Sequence, residues 1–204
     1  GAGIYRHVWL NITDKNFIPV DGVFVHSEVK GKNAEVTVET TIQNNNLKNT
    51  NSVVYSYITD RNGKILVKTK EQKVNLGIFK NQTIKQHLQL KNPELWSLEN
   101  PYLYRVVSVL KSENQIIHQT KTRFGIKTIH FDAKEGFFLN GKHLKIQGTN
   151  NHQDHAGIGS ALPDYMQYYR IKLLKEMGSN AYRASHNAPT PELLEACDSL
   201  GMLV

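Results

Sequence analysis

From about Phe17 to Lys127 apolar and polar residues alternate with a period of two, a rhythm that no helix can satisfy and a half-buried strand requires. In "AEVTVETTIQN" (34–44), Val36, Val38, Thr40 and Ile42 are set against polar partners. Similar runs follow at "SVVYSYITD", "KILVKTKEQKV", "QTIKQHLQL", "YLYRVVSVL" and "NQIIHQTKTRFGI", separated by "NNNLKNTN", "RNG", "KNPELWSLENP" and "KSEN". With "FIPVDGVFVHSEV" in front, about seven strands arise at the turn spacing of a two-layer sandwich. The expected fold of this part is an all-β immunoglobulin-like sandwich. Cys197 is the only cysteine, so the sandwich lacks the inter-sheet disulfide of antibody domains, and the compartment is not readable from cysteine usage.

After "FGIKTIHFDAKEG" the rhythm changes. "FFLNGKHLKIQG" predicts a hairpin, because Asn140-Gly141 tolerates the positive φ angles of a type I′ turn. "LPDYMQYYRIKLLKEMGSN" predicts a helix with Met166, Tyr169, Leu173, Leu174 and Met177 on its apolar face, Pro163 in its first turn and Gly178 just past its end. "AYRASH" reads as a strand, and "TPELLEACDSLG" as a second helix with Thr190 as N-cap, Pro191 at N1 and Gly201 as terminator. "MLV" (202–204) then begins another strand, barely opened at Val204. Strands alternating with helices signal a parallel sheet, here with Leu144–Gly148 and Ala181–His186 as its expected neighbours. Two helices cannot cover such a sheet or close an eight-stranded barrel, so an incomplete α/β segment cut from a longer protein is expected. Its apolar helix faces need a cover, so either they pack against another copy of the chain, a homo-oligomer, or the segment is poorly ordered.

The formal net charge of +7 raises nucleic acid as a partner, but the lysines are scattered rather than stacked, so nucleic-acid binding is not expected. No apolar run approaches the roughly 18 residues of a membrane span. An export signal would have to precede Gly1, and a periplasmic or exported protein is expected only in that case.

Chemistry concentrates in "GTNNHQDHAG" (148–157). If its strand and "AYRASH" are parallel neighbours, His152, His155, Asn150 and Asp154 share a C-terminal rim with Arg183, His186 and Asn187, where α/β barrels carry their active sites. Imidazoles and amides there offer both donors and acceptors, as sugar hydroxyls require. Three readings stay open on the residues alone: a ligand-binding rim, a metal centre built on His152, His155 and His186, and a solvated polar loop. Trp96 is either a sugar platform or a packing plug. Cys197 sits among Leu193, Leu194 and Leu200 and reads as inert core.

"GIYRHVWL", "NPELWSLENPYLY", "RFGIKTI", "FFLNGKHLKIQGTNNHQDH" and "NAYRASHNAPTPELLEACDSLGMLV" together resemble the glycoside hydrolase family 2 enzymes, the β-galactosidases, β-glucuronidases and β-mannosidases, over essentially the whole chain. The resemblance implies that residues 1–10 are a remnant of a jelly-roll sugar-binding domain, 11–128 the sandwich and 129–204 the truncated start of a (β/α)8 catalytic barrel. It further implies an exo-acting retaining glycosidase, with a β-galactoside or related β-glycoside as substrate and no cofactor. Retention needs two carboxyls about 5–5.5 Å apart. In the family both are glutamates of later barrel strands. The resemblance therefore implies that the acid/base and the nucleophile lie beyond Val204, that residues 1–204 hold no catalytic residue, and that they are inactive alone. His152 and His186 match the family's glycone-binding histidines, and Arg183 matches an arginine near the carboxylates. Asp154 and His155 are further substrate-binding candidates on the same loop, and no metal ligand is assigned. Many β-galactosidases carry arginine where Asn151 stands, which leaves the sugar open. The competing reading is a noncatalytic carbohydrate-binding or cell-surface β-sandwich module.

Overall fold

The computed structural model describes residues 3–204, which form two compact units. One comprises residues 11–94 and 103–126; the other comprises residues up to Leu10, the connection Leu95–Tyr102 and residues 127–204.

The first unit is the sandwich. Its first sheet is built on β3 (Asn33–Asn44), flanked on one side by β7 (Asn81–Lys91) and on the other by β2 (Val23–Lys30) and the short β1 (Asn16–Phe17), all antiparallel. Its second sheet runs from β4 (Thr50–Thr59) through β8 (Tyr104–Ser112) to β9 (Gln115–Phe124), with β5 (Ile65–Lys68) and β6 (Gln72–Leu76) sharing the free side of β4. Two runs that read as single strands are therefore divided. "FIPVDGVFVHSEV" breaks at Pro19–Gly22, where Gly22 N–H closes a turn on Pro19 O at 2.9 Å. "KILVKTKEQKV" breaks between β5 and β6.

Strict alternation buries every second residue of β3, including Val36, Val38, Thr40 and Ile42, as the sequence predicts. Ile18, Ile42, Val54, Val74, Leu76 and Leu110 close one end of the core. Burial of each such side chain contributes about 1.5–3 kcal/mol before entropy is subtracted. The middle of the core is polar. Ser56 Oγ donates to Gln86 Oε1 at 2.8 Å and lies 3.0 Å from Ser108 Oγ, which in turn meets Thr40 Oγ1 at 3.2 Å. These four buried residues link the two sheets, and each bond also fixes register.

The second unit begins with a three-stranded antiparallel sheet, β10 (Ile129–Asp132), β11 (Gly136–Leu139) and β12 (Lys142–His143). The hairpin predicted at Asn140-Gly141 is present, with φ of 51° and 75° at those residues. A parallel pair follows, β13 (Gly148–Asn151) with β14 (Ala181–Ala184), joined by α1 (Asp164–Glu176). α2 (Pro191–Leu200) leads to a parallel bridge between Leu203 and Ala181, so β14 lies between β13 and the strand that "MLV" opens. That strand is represented by the single bridge at Leu203. Among the described residues no helix is long and apolar enough to cross a membrane.

Two local expectations are corrected. The first parallel strand is Gly148–Asn151 rather than Leu144–Gly148, because the Asn180 amide occupies the preceding backbone: its Oδ1 accepts from Gln147 N–H at 2.8 Å and its Nδ2 donates to Lys145 O at 2.9 Å. Gly148 is required where the ladder starts, since a Cβ there would stand 2.0 Å from Ala181 O. On α1, the buried face is Gln167 and Ile171, with Leu174 beside them, while Tyr169, Leu173 and Met177 are exposed. This helix carries apolar residues on two sides, so spacing alone did not select the inward one. Pro163 stands at the N-cap, one residue before the predicted first turn.

α2 follows its sequence signals: Thr190 accepts from Leu193 N–H at 3.2 Å, Pro191 is at N1, and Gly201 adopts a left-handed φ of 74°. Its inward residues Leu193, Ala196 and Cys197 pack with Ile171, Tyr182 and Met202. Desolvation pushes the Cys197 thiol up to about 12. At pH 8 the thiolate fraction is then on the order of one in ten thousand. The folded chain is expected to resist a colorimetric disulfide reagent at pH 8 and to react stoichiometrically once unfolded in guanidinium; prompt labelling of the folded chain would contradict this burial.

Trp96, in the Leu95–Tyr102 connection, is a plug and not a sugar platform, being 2% exposed. Its Nε1 donates to Asp198 O at 2.8 Å, its carbonyl accepts from Asn140 Nδ2 at 2.9 Å, and Lys127 Nζ lies 5.0 Å from the ring centroid. Lys175, at the end of α1, donates to Leu98 O and Gly201 O, tying the same connection to both helices.

Candidate functional site

Parallel pairing sets which side chains share a face. Asn150 and Arg183 are direct partners in the β13–β14 ladder, and they lie opposite Tyr182 and Ala184, whose side chains join the helix-packed core. Arg183 is exposed on the helix-free face and donates from Nη1 to Ser185 Oγ at 3.0 Å and Asn150 Oδ1 at 3.4 Å. Both acceptors are neutral, and a guanidinium has five N–H donors, so capacity remains for an acceptor on that face.

Both strands end at the same edge, at Asn151 and Ala184, and Ser185 N–H donates to Asn151 O at 2.9 Å just beyond them. His152 and His186 follow immediately. Their rings meet edge to face, with centroids 5.8 Å apart and planes at 85°. Both residues are exposed, and the Ser185–His186 peptide is cis. Two imidazoles from segments more than 30 positions apart thus form one polar lip.

Other side chains hold that lip. Arg170 of α1 donates from Nη2 to His152 O at 2.7 Å, and Arg6 donates from Nη2 to Gln153 Oε1 at 2.8 Å. Neither contact was legible in the sequence, because an arginine on a helix and one near the chain start carry no spacing signal toward residue 152. Asn151 turns its amide back onto Thr149, at 2.8 Å to the carbonyl and 2.9 Å to Oγ1. His155 is engaged through its backbone in a tight turn, donating to Gly159 O at 3.0 Å and accepting from Ile158 and Gly159 N–H. Asp154 is exposed on the intervening loop. The geometry therefore unites His152, His186 and Arg183 at one edge of the parallel pair and brings neither Asp154 nor His155 into a contact with them that the lip depends on.

A cavity adjoins the lip and is lined by Asn151, Gln153, Gln167, Ser185 and Asn187 among others; neither lip histidine lines it. Among the described residues, His152, His155 and His186 do not belong to a group of three convergent metal-ligating side chains.

The chain matches the sequence pattern of glycosyl hydrolases family 2 over residues 18–127 and that of the family's TIM barrel domain over residues 132–204. It is 36% identical to the β-galactosidase BoGH2A of Bacteroides ovatus, over 100% of the chain and 24% of that protein. A β-glucuronidase of Formosa agariphila is 32% identical over 99% of the chain and 22% of its own length. The crystal structure of a glycosyl hydrolase family 2 member from Bacteroides cellulosilyticus superposes with a TM-score of 0.94 at 38% identity, covering 100% of this chain and 28% of that one. The chain spans about a quarter of the length of these relatives. With a sandwich followed by the first strands and helices of a parallel barrel, and both segments matching in that order, the chain belongs to glycosyl hydrolases family 2.

Proposed function

We propose that this chain contributes the glycone-binding lip of an exo-acting retaining β-glycosidase, with a terminal β-galactoside as substrate. The observation that carries the reading is the contact of the His152 and His186 rings at the C-terminal edge of β13 and β14, beside the free donors of Arg183. Imidazole N–H groups and lone pairs there suit the alternating donors and acceptors of a pyranose ring, and the guanidinium suits an anionic carboxylate nearby. Asp154 is the one acid in the segments 148–155 and 181–187. A retaining reaction needs two carboxyls across the scissile bond, and by the family resemblance the acid/base and the nucleophile are glutamates of later barrel strands of the whole enzyme. β-Glucuronides form the second substrate class, because relatives named for each activity match this chain at similar identity.

The test is an assay of the whole enzyme and of this chain alone on nitrophenyl β-galactoside, β-glucuronide and β-mannoside. The whole enzyme is expected to turn over the β-galactoside fastest, and the chain alone to turn over none of the three. Preference for the glucuronide would transfer the sugar assignment, and turnover by the chain alone would refute the division of labour between lip and carboxylates.

A further inference from the structure

Outside the lip, three segments distant in sequence bring ligating groups together. His7, Asp164 at the start of α1 and Glu192 in the first turn of α2 place an imidazole nitrogen and two carboxylate oxygens all within 4.8 Å of one another. His7 Nε2 and Asp164 Oδ1 are 2.7 Å apart, a hydrogen-bonded pair whose shared proton a cation would displace. A cavity lined by these three residues is also lined by Gln167, one helical turn along α1 from Asp164. Gln167 is 6% exposed, yet its Oε1 has no hydrogen-bond partner. An orphaned amide oxygen at such depth keeps its desolvation cost uncompensated unless something satisfies it.

We propose that His7, Asp164, Glu192 and Gln167 form a binding site for a divalent first-row cation of the zinc or manganese type. Two carboxylates balance the charge of the ion, and the amide oxygen supplies a neutral fourth ligand. Imidazole decides the class of metal, since calcium and magnesium take oxygen ligands. Ligand atoms around a tetrahedral zinc lie about 3.4 Å apart, so His7 and Asp164, both exposed, and the half-buried Glu192 shift by about an ångström to close on the ion. The ion would staple the segment around residue 7 to the N-termini of both barrel helices, a structural role separate from the lip and independent of the proposed activity.

The experiment is calorimetric titration of the chelator-treated chain with ZnCl2, MnCl2 and CaCl2, with thermal melts in parallel. One site for zinc or manganese is expected, together with a rise in melting temperature. His7→Ala and Asp164→Asn should each weaken that site by at least about tenfold and abolish the rise. Gln167→Leu separates ligation from packing: as a ligand its loss weakens metal binding about as much, whereas a mere orphan oxygen replaced by an apolar side chain leaves affinity unchanged and the metal-free fold no less stable. The chain has nine histidines, so zinc binding that survives His7→Ala and Asp164→Asn unaltered overturns the assignment, as does calcium bound more tightly than zinc.

Discussion

Trp96→Ala is expected to destabilise the unit that contains it by about 3–5 kcal/mol, a large share of the roughly 5–15 kcal/mol that holds a domain together. The side chain is 2% exposed and is enclosed by partners from several segments: Asp198 receives its N–H, Asn140 reaches its carbonyl, and Lys127 covers its face. A cavity of indole size cannot collapse when its walls are the end of a helix and a hairpin turn. Trp96→Phe retains most of the apolar area, loses one hydrogen bond, and should cost about 1–2 kcal/mol. Chemical denaturation followed by circular dichroism measures both variants. Tryptophan fluorescence helps in the unmodified chain, whose other tryptophan, Trp9, is 75% exposed. An alanine variant within about 1 kcal/mol of the parent would mean that the connection is dispensable to the unit.

His186→Ala in the whole enzyme is expected to lower kcat/KM by about a hundredfold, equivalent to roughly 2.7 kcal/mol of lost transition-state stabilisation. Under the proposed function the imidazole binds a sugar hydroxyl whose bond tightens as the ring flattens toward an oxocarbenium ion, so the loss falls on kcat as well as KM. His152→Ala should have an effect of similar size. Because the two rings touch, the double variant should fall well short of the product of the two single effects. Steady-state kinetics on the preferred nitrophenyl glycoside, with circular dichroism to confirm folding, decide the matter. Unchanged kcat/KM in both single variants would remove the lip from the substrate-binding surface.

Wherever one physical signal dominated, the sequence was readable. Alternation along β3 predicted which side chains point inward, since a strand with one wet face has no other solution. Capping at Thr190 and the stop at Gly201 were equally plain, because each answers a local backbone requirement. Position along the chain was harder where two local solutions compete. Residues 144–147 look like strand, yet a side-chain amide from Asn180 takes their hydrogen bonds, a long-range event without local trace. α1 is apolar on both sides, so period alone could not choose between Ile171 and Leu173. At the candidate site, parallel strand order placed His152 and His186 at one rim, while singling them out from His155 and Asp154 rested on the family resemblance. The supports supplied by Arg170 and Arg6 were not legible, because tertiary packing alone brings them to that loop.

The eight residues Leu95–Tyr102 interrupt the sandwich's stretch of sequence while clustering with the other unit. Dissection at residue 127 would therefore strand the indole of Trp96 in one polypeptide and its acceptor, Asp198, in the other. Neither piece would be whole, however well the cut respected the change of rhythm in the sequence. Anyone seeking either half in isolation has to graft or delete an internal octapeptide, and splicing order rather than terminal trimming becomes the relevant engineering variable.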